Sequence, residues 1–233
     1  MVHEEPPRTT TETDPCFQDL HTGYDGLVLP GQPKAMDERD KPWVGEQLEP
    51  AGRPKAPGRL ALVQRFVNTL IHDFDIDRLG TAAKAHAWLS ANALLTPGAA
   101  VGEADAARLR RLREGIRALA FSNHGGDLDP SAVRELARTA RRATLRVHFD
   151  EDAATSLVPH GLGVDAAAAT LLAIVHEAQL TGEWSRLKTC RQCTYAFFDR
   201  SKNRSAAWCS MSICGNRRKN QTYRRRRAVD GSR

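Results

Sequence analysis

Thr189 to Arg217 reads TCRQCTYAFFDRSKNRSAAWCSMSICGNR and holds four of the chain's five cysteines. Cys190 and Cys193 form a C-x-x-C pair, and after a gap of fifteen residues Cys209 and Cys214 form a C-x4-C pair. A C-x-x-C sets two thiolates on one tight turn. A second pair brought back by a short hairpin completes a tetrahedron, the geometry of a structural zinc site. The expected cofactor is one structural Zn2+ per chain on Cys190, Cys193, Cys209 and Cys214. Free thiols, two disulfides and a thiol redox pair are the alternatives. A reducing cytosol disfavours disulfides. The redox reading needs a strand-to-helix setting, whereas Cys193 is followed by the β-prone run Thr194, Tyr195, Phe197 and Phe198.

Four thiolates around one Zn2+ carry a formal charge of about minus two, and Lys188, Arg191, Arg200, Lys202 and Arg217 are placed to offset it. Tyr195, Phe197, Phe198 and Trp208 have two readings. They are the small core that so short a segment needs, or platforms on which bases stack. The first is preferred, because the segment has little else to bury.

After Cys214 the chain continues GNRRKNQTYRRRR. Asn216 is a plausible cap, and the remainder contains good helix formers and no proline, so a short basic helix is expected. Arg217, Arg218, Lys219, Asn220, Gln221, Arg224, Arg225, Arg226 and Arg227 are its candidate nucleic-acid contacts. Guanidinium forks bind phosphates and guanine edges in pairs of hydrogen bonds, and Asn or Gln can read adenine. The charge is segregated accordingly. Residues 186 to 233 hold 14 Lys and Arg against Asp199 and Asp230, a net of +12, while residues 1 to 185 net minus 6. Such an asymmetry describes a polyanion-binding end on an acidic body.

The run C-x-x-C, Tyr195-Ala196-Phe197-Phe198-Asp199-Arg200-Ser201, Trp208-Cys209-Ser210-Met211, then Cys214-Gly215-Asn216-Arg217-Arg218-Lys219 resembles the CGNR zinc finger family over roughly Cys190 to Arg227. In that family the finger ends a chain whose front part is an ABATE domain. The front of this chain resembles that domain through Phe66-Val67-Asn68-Thr69-Leu70 and Trp88-Leu89. The resemblance implies a stress-induced regulator of transcription. It also adds Asn68 and Trp88 as candidate ligand-pocket residues, although a polar residue beside an apolar stripe is more often an internally bonded one.

The fold class expected is mainly α with one small β-hairpin (α+β), followed by the four-cysteine module and its basic helix. Residues 1–58, rich in Pro, Gly, Thr and mixed charge, read as a disordered tail, with Cys16 alone in it. Residues 59–184 read as a mostly helical body, 185–228 as finger and basic helix, and 229–233 as a tail. Within the body, apolar residues from Leu60 to Ile71 recur at helical spacing and predict a helix of about twelve residues. Helices are also expected over Thr81–Leu95, stopped by Thr96-Pro97-Gly98, over Glu103–Asn123, and from Pro130 to about Arg142 behind the cap-and-proline signal of Asp129-Pro130. The arginines at 108, 110, 111, 113 and 117 read as a solvated face, with a phosphate-binding face as the alternative. Thr144–Phe149 and Ala154–Val158 alternate around the turn Asp150-Glu151-Asp152 and predict the hairpin. Asp165 is expected to cap a last, largely apolar body helix, Ala166 to about Leu180.

His176-Glu177 lacks the second histidine of a metalloprotease helix, and Gly161-Leu162-Gly163 lacks the third glycine of a dinucleotide loop. An enzyme is not expected. Neither a secretory leader nor eighteen consecutive apolar residues are present, so the expected place is the cytoplasm, at the nucleoid when bound to DNA. The reading is a zinc-dependent DNA-binding transcription regulator whose helical body senses a ligand or dimerises, a homodimer being compatible with it. The alternatives are an RNA-binding protein and a zinc-shaped protein-interaction module. Metal removal is expected to unfold the finger and leave the body intact.

Overall fold

The computed structural model describes residues 53–230, and of the side chains in that range all but those at 225, 226 and 228–230. Most of the tail expected over residues 1–58, with Cys16, therefore lies outside the described residues, as do residues 231–233. The short piece that is described, 53–58, is packed. Ala56 is buried and its N–H donates to Gln64 Oε1 at 2.6 Å, while Gln64 Nε2 donates to Pro54 O at 3.1 Å. The body begins about six residues earlier than composition suggests, because one buried glutamine collects the incoming backbone.

Helix α1, Leu60–Val67, places Leu60, Leu62, Val63, Phe66 and Val67 in the core. It is eight residues long, not twelve. The helical period continues through Leu70 and Ile71, yet these two form β1 and pair with β2, Ile76–Asp77, across the short turn His72–Phe74. The helix stops where Asn68 turns its side chain to another segment, and propensity yields to that tertiary bond.

Helix α2, Ala82–Ala91, is capped by Thr81, whose side chain accepts from Lys84 N, and its Trp88 ring packs on Phe66 with centroids 5.5 Å apart. Helix α3 runs Glu103–Ser122 and helix α4 Pro130–Ala140, the latter behind the Asp129 cap with proline in its first turn. The two lie close because Gly115 has no side chain: a Cβ there would stand 2.9 Å from Leu136 Cγ.

Strands β3, Thr144–Phe149, and β4, Thr155–His160, form the predicted hairpin, with Val147 opposite Leu157 and Thr144 opposite His160. The return strand runs two residues further than alternation suggested. Helix α5, Gly163–Leu180, is the centre of the body and buries Val164, Ala167, Ala168, Leu171, Ile174 and Val175 against α1, α3 and the hairpin. Asp165 does not cap it. The cap position is Leu162, and Asp165 sits in the first turn, where its carboxylate accepts from Arg108 and Arg142.

The arginine run of α3 is not a uniformly solvated face: Arg111 is exposed, Arg108 and Arg110 are half-buried, and the other two are buried. Arg113 and Arg117 are 3% and 7% exposed. Arg113 donates to Asp77 at 2.6 Å and to Glu114 at 2.7 Å, and Arg110 donates to the carbonyls of Leu79 and Gly80. Buried cations are retained only when paired and hydrogen-bonded, and these are. Burial pulls the Arg117 guanidinium below its ordinary range, opposed by the charge of Glu114. Among the described residues no helix is long and apolar enough to cross a membrane.

Candidate metal centre and nucleic-acid interface

A turn at Glu183–Arg186 leads from α5 into strand β5, Leu187–Thr189, which pairs antiparallel with β6, Ala196–Phe198. Leu187 stands opposite Phe198 and Thr189 opposite Ala196, and all six residues are buried. The period of two explains how a strand pair can be buried on both sides. Leu187, Ala196 and Phe198 join the body's core, while Phe197, with Tyr195, joins a second cluster around the cysteines. The hairpin is thus a shared wall between body and finger.

Body side chains fasten that wall at its backbone. Asn68 Nδ2 donates to Ala196 O at 3.0 Å and its Oδ1 accepts from Ala196 N at 2.7 Å. Gln64 Nε2 donates to the same carbonyl. Arg117 Nη1 donates to Thr194 O at 2.8 Å, Asn123 Nδ2 to Leu187 O at 2.8 Å, and His124 Nε2 meets Thr189 O at 2.6 Å. Burial, and the nearby cations Arg191 and Lys188, lower the His124 pKa. Asn68 is thus the internally bonded polar residue that its place beside an apolar stripe suggested, and Arg117 belongs to the arginine run noted in the sequence. Gln64, Asn123 and His124 were not singled out there, where the only signal was a polar group on an otherwise apolar helix.

Between the strands the chain makes the metal turn. Thr194 N donates to Cys190 O and Cys190 N to Tyr195 O, with Thr194 in the left-handed region at φ 59°. Such a conformation is uncommon for a β-branched residue, and Arg117 holds it from the body. Gln192 N points at Cys190 Sγ, 3.5 Å away. The second pair is set by a widened turn, Met211–Gly215, in which Cys214 N and Gly215 N both reach Ser210 O. Gly215 leaves room there for Met211, whose sulfur would lie 2.8 Å from a Cβ.

All four Sγ atoms lie within 4.8 Å of one another, and Cys193–Cys209, Cys209–Cys214 and Cys193–Cys214 are 3.6, 3.7 and 3.6 Å apart. Zn–S bonds of about 2.3 Å in a tetrahedron require sulfurs about 3.8 Å apart, so the four fit the ion closely. The cysteines are buried and none is in a disulfide. Hydrogen bonds from Cys193 and Cys209 hold the Cys190 thiol well below its usual range. Sharing with Cys190 and Cys193 pushes Cys209 up, and burial pushes Cys214 up to about 12. A cluster that resists losing its later protons binds a divalent cation through the charge that the cation itself supplies. The finger holds one structural zinc on Cys190, Cys193, Cys209 and Cys214.

The expected ring of offsetting cations is only partly present. Lys188 is 2% exposed and is spent on Asp199 at 2.9 Å, with a further bond to Arg204 O. Asp199, also buried, accepts from Ser201 N and Ala206 N and so shapes the loop ahead of Cys209. Arg200 donates to Lys55 O, and Arg217 pairs with Asp73 at 3.0 Å. Tyr195 and Phe197 are buried in the finger's small core with Trp208 packed against it, as expected, whereas Phe198 is buried in the body's core instead. Arg53 covers the Tyr195 ring at 4.0 Å.

Helix α6, Asn216–Asp230, continues directly from the cysteine turn. Asn216 does not cap it. It already has helical backbone angles, and its side chain donates back to Ser212 O at 3.2 Å. Arg217, Arg218, Lys219, Asn220, Gln221, Arg224 and Arg227 are exposed, while the side chains of Arg225 and Arg226 lie outside the described residues. At about 1.5 Å per residue the helix is about 22 Å long. Arg217, Asn220, Gln221 and Arg224 share a face by their i, i+3, i+4, i+7 spacing.

Asn68 and Trp88, the candidate ligand-pocket residues, are each engaged within the protein. Both polar atoms of Asn68 are taken by Ala196, and the Trp88 ring packs on Phe66 at a tilt of 53°. The family model described as "ABATE: Putative stress-induced transcription regulator" matches residues 60–178, just over half of the chain, and the CGNR zinc finger model matches residues 186–227. No curated protein sequence matches the chain.

Proposed function

Because the chain belongs to the ABATE family and closes with a CGNR zinc finger, we propose that it is a zinc-dependent regulator of transcription that binds duplex DNA through α6. One observation carries this reading. A helix whose described basic side chains are all exposed is rooted at Cys214 in the metal turn and tied to the body by Arg217 and Asp73. Rooted there, the helix carries its cations on a regular scaffold, with Arg217 and Arg224 on one face, instead of on an unstructured tail. Arg and Lys neutralise phosphates, and Asn220 and Gln221, on the same side as Arg217 and Arg224, are of the type that reads adenine.

The burial of Tyr195, Phe197 and Phe198 removes three of the platforms that single-stranded RNA would need. The place of action is then the cytoplasm, at the nucleoid when DNA is bound. The helical body supplies the sensing part.

The test is anisotropy of a labelled 25-base-pair duplex across a salt series. With about five phosphates neutralised, log affinity against log salt falls with a slope of about minus 4 to minus 5. A flat response, or tighter binding of single-stranded RNA of equal length, removes the duplex reading.

A further inference from the structure

Between α3, α4 and the start of α5 the body leaves a half-open cavity of about 200 Å3. Its floor is apolar, made by Leu109, Leu112, Val164 and Ala168, and its rim is made by Arg108, Arg111, Arg138 and Arg142. The sequence supplies this polarity by period: on α3, Leu109 and Leu112 point inward while Arg108 and Arg111 flank them.

The rim is not neutral. Asp165 accepts from Arg108 at 2.8 Å and from Arg142 at 3.2 Å, and Glu135 accepts from Arg111 at 3.1 Å and from Arg138 at 2.6 Å. Arg108 also holds Asp105. Four guanidiniums thus face three carboxylates, and one positive charge is left over. Arg138 and Arg142 are 64% and 62% exposed in their side chains. Ion pairs that wet contribute little to stability, so these two arginines can turn to a new carboxylate at small cost, and a guanidinium takes a carboxylate with two parallel bonds. The volume is below the range of about 300–1,000 Å3 that drug-sized ligands occupy.

We propose that this cavity is a binding site for a small organic monocarboxylate, its apolar body on Leu109, Leu112 and Ala168 and its carboxylate between Arg138 and Arg142. Ligation here gives the body the sensing role proposed above and rests on that reading for its purpose. The site also lies on the helix that carries Arg117, the side chain that holds Thr194 beside the metal turn, so a ligand seated at one end of α3 presses on an element that reaches the finger.

The experiment is titration calorimetry of the zinc-loaded full chain with benzoate, phenylacetate and 3-methylbutanoate, each set against its neutral amide. At least one acid binds saturably at one site per chain, and its amide binds at least about tenfold more weakly. Replacing both Arg138→Gln and Arg142→Gln, which are exposed and leave the fold alone, weakens the acid by about tenfold or more. Ala168→Leu fills the floor and abolishes the heat; a circular dichroism melt establishes that this variant folds, and the double glutamine variant stands in for it if it does not. No saturable heat with any of the acids, equal binding of acid and amide, or an unchanged affinity in the double variant overturns the proposal. Because the readout is ligand heat alone, failure here leaves DNA binding standing, and failure of DNA binding leaves this result standing.

Discussion

Asn68 at the end of α1 and Ala196 in β6 exchange two hydrogen bonds, at 3.0 and 2.7 Å, across 128 positions of sequence. The asparagine amide acts as the next strand would, offering a donor and an acceptor to a backbone edge that is otherwise buried. Asn68→Ala leaves Ala196 N–H without its partner, while Gln64 still serves the carbonyl. An orphaned buried donor costs about 1–3 kcal/mol. The midpoint of urea unfolding of the zinc-loaded protein is expected to fall accordingly; an unaltered midpoint would mean that the bond is dispensable.

Metal removal is expected to reach the body. The sequence alone suggested a separable finger, but Leu187, Ala196 and Phe198 belong to the body's core while the same strands carry the cysteine turn. After chelation, hydrogen exchange should quicken in β5 and β6 and also near Asn68 and Arg117. Protection lost only in the two cysteine turns and α6, with β5 and β6 unaffected, would show instead that the hairpin stands without zinc.

Asp77 and Arg113 set a pH dependence. Burial raises the Asp77 pKa, but the bonds from Arg113 and Leu79 N and the charges of Arg113 and Arg110 outweigh it, so the carboxyl is held below its usual range. A depressed folded-state pKa gives stability that is present above the unfolded value of about 3.9 and is lost as pH falls through the folded one. Asp77→Asn is therefore expected to cost about 1.5–3 kcal/mol of stability at neutral pH, the scale of a bond to a charged group, and so to lower the melting temperature. That deficit should narrow as pH falls below about 4. A deficit independent of pH would place the loss in packing.

Arg217 pairs with Asp73, and under the proposed duplex binding a phosphate would compete with that carboxylate for it. Asp73→Asn releases it and removes a negative charge from the root of α6, so duplex affinity at low salt should rise about two- to fivefold, the scale of an exposed ion pair. Arg217→Ala should weaken binding and reduce the salt slope by about one. If neither variant moves the affinity, the first turn of α6 does not touch the nucleic acid.

Much of this architecture is visible in the residues themselves. The cysteine spacing identified the ligands, and Asp129-Pro130 and the apolar periods placed the helices to within a few residues. What was hidden depends on partners far away in sequence. The pattern from Leu60 to Ile71 is helical throughout, and only Ala196, 128 residues on, explains why the helix ends at Val67. Arg113 and Arg117 look like surface arginines until Asp77 and the Thr194 carbonyl are brought against them. A three-residue strand is too short to declare, by alternation, that both of its faces will be covered.

The wall formed by β5 and β6 bears on how this protein can have been assembled and how it can be re-engineered. A metal knuckle with a wet outer face is a portable cassette, but one cut from this chain would expose Leu187, Ala196 and Phe198 and lose the side chains that grip its edge. Transplanted alone it should clump or fray even when fully metallated, so a chimera should take its seam upstream of α1, with body and finger inherited as one unit.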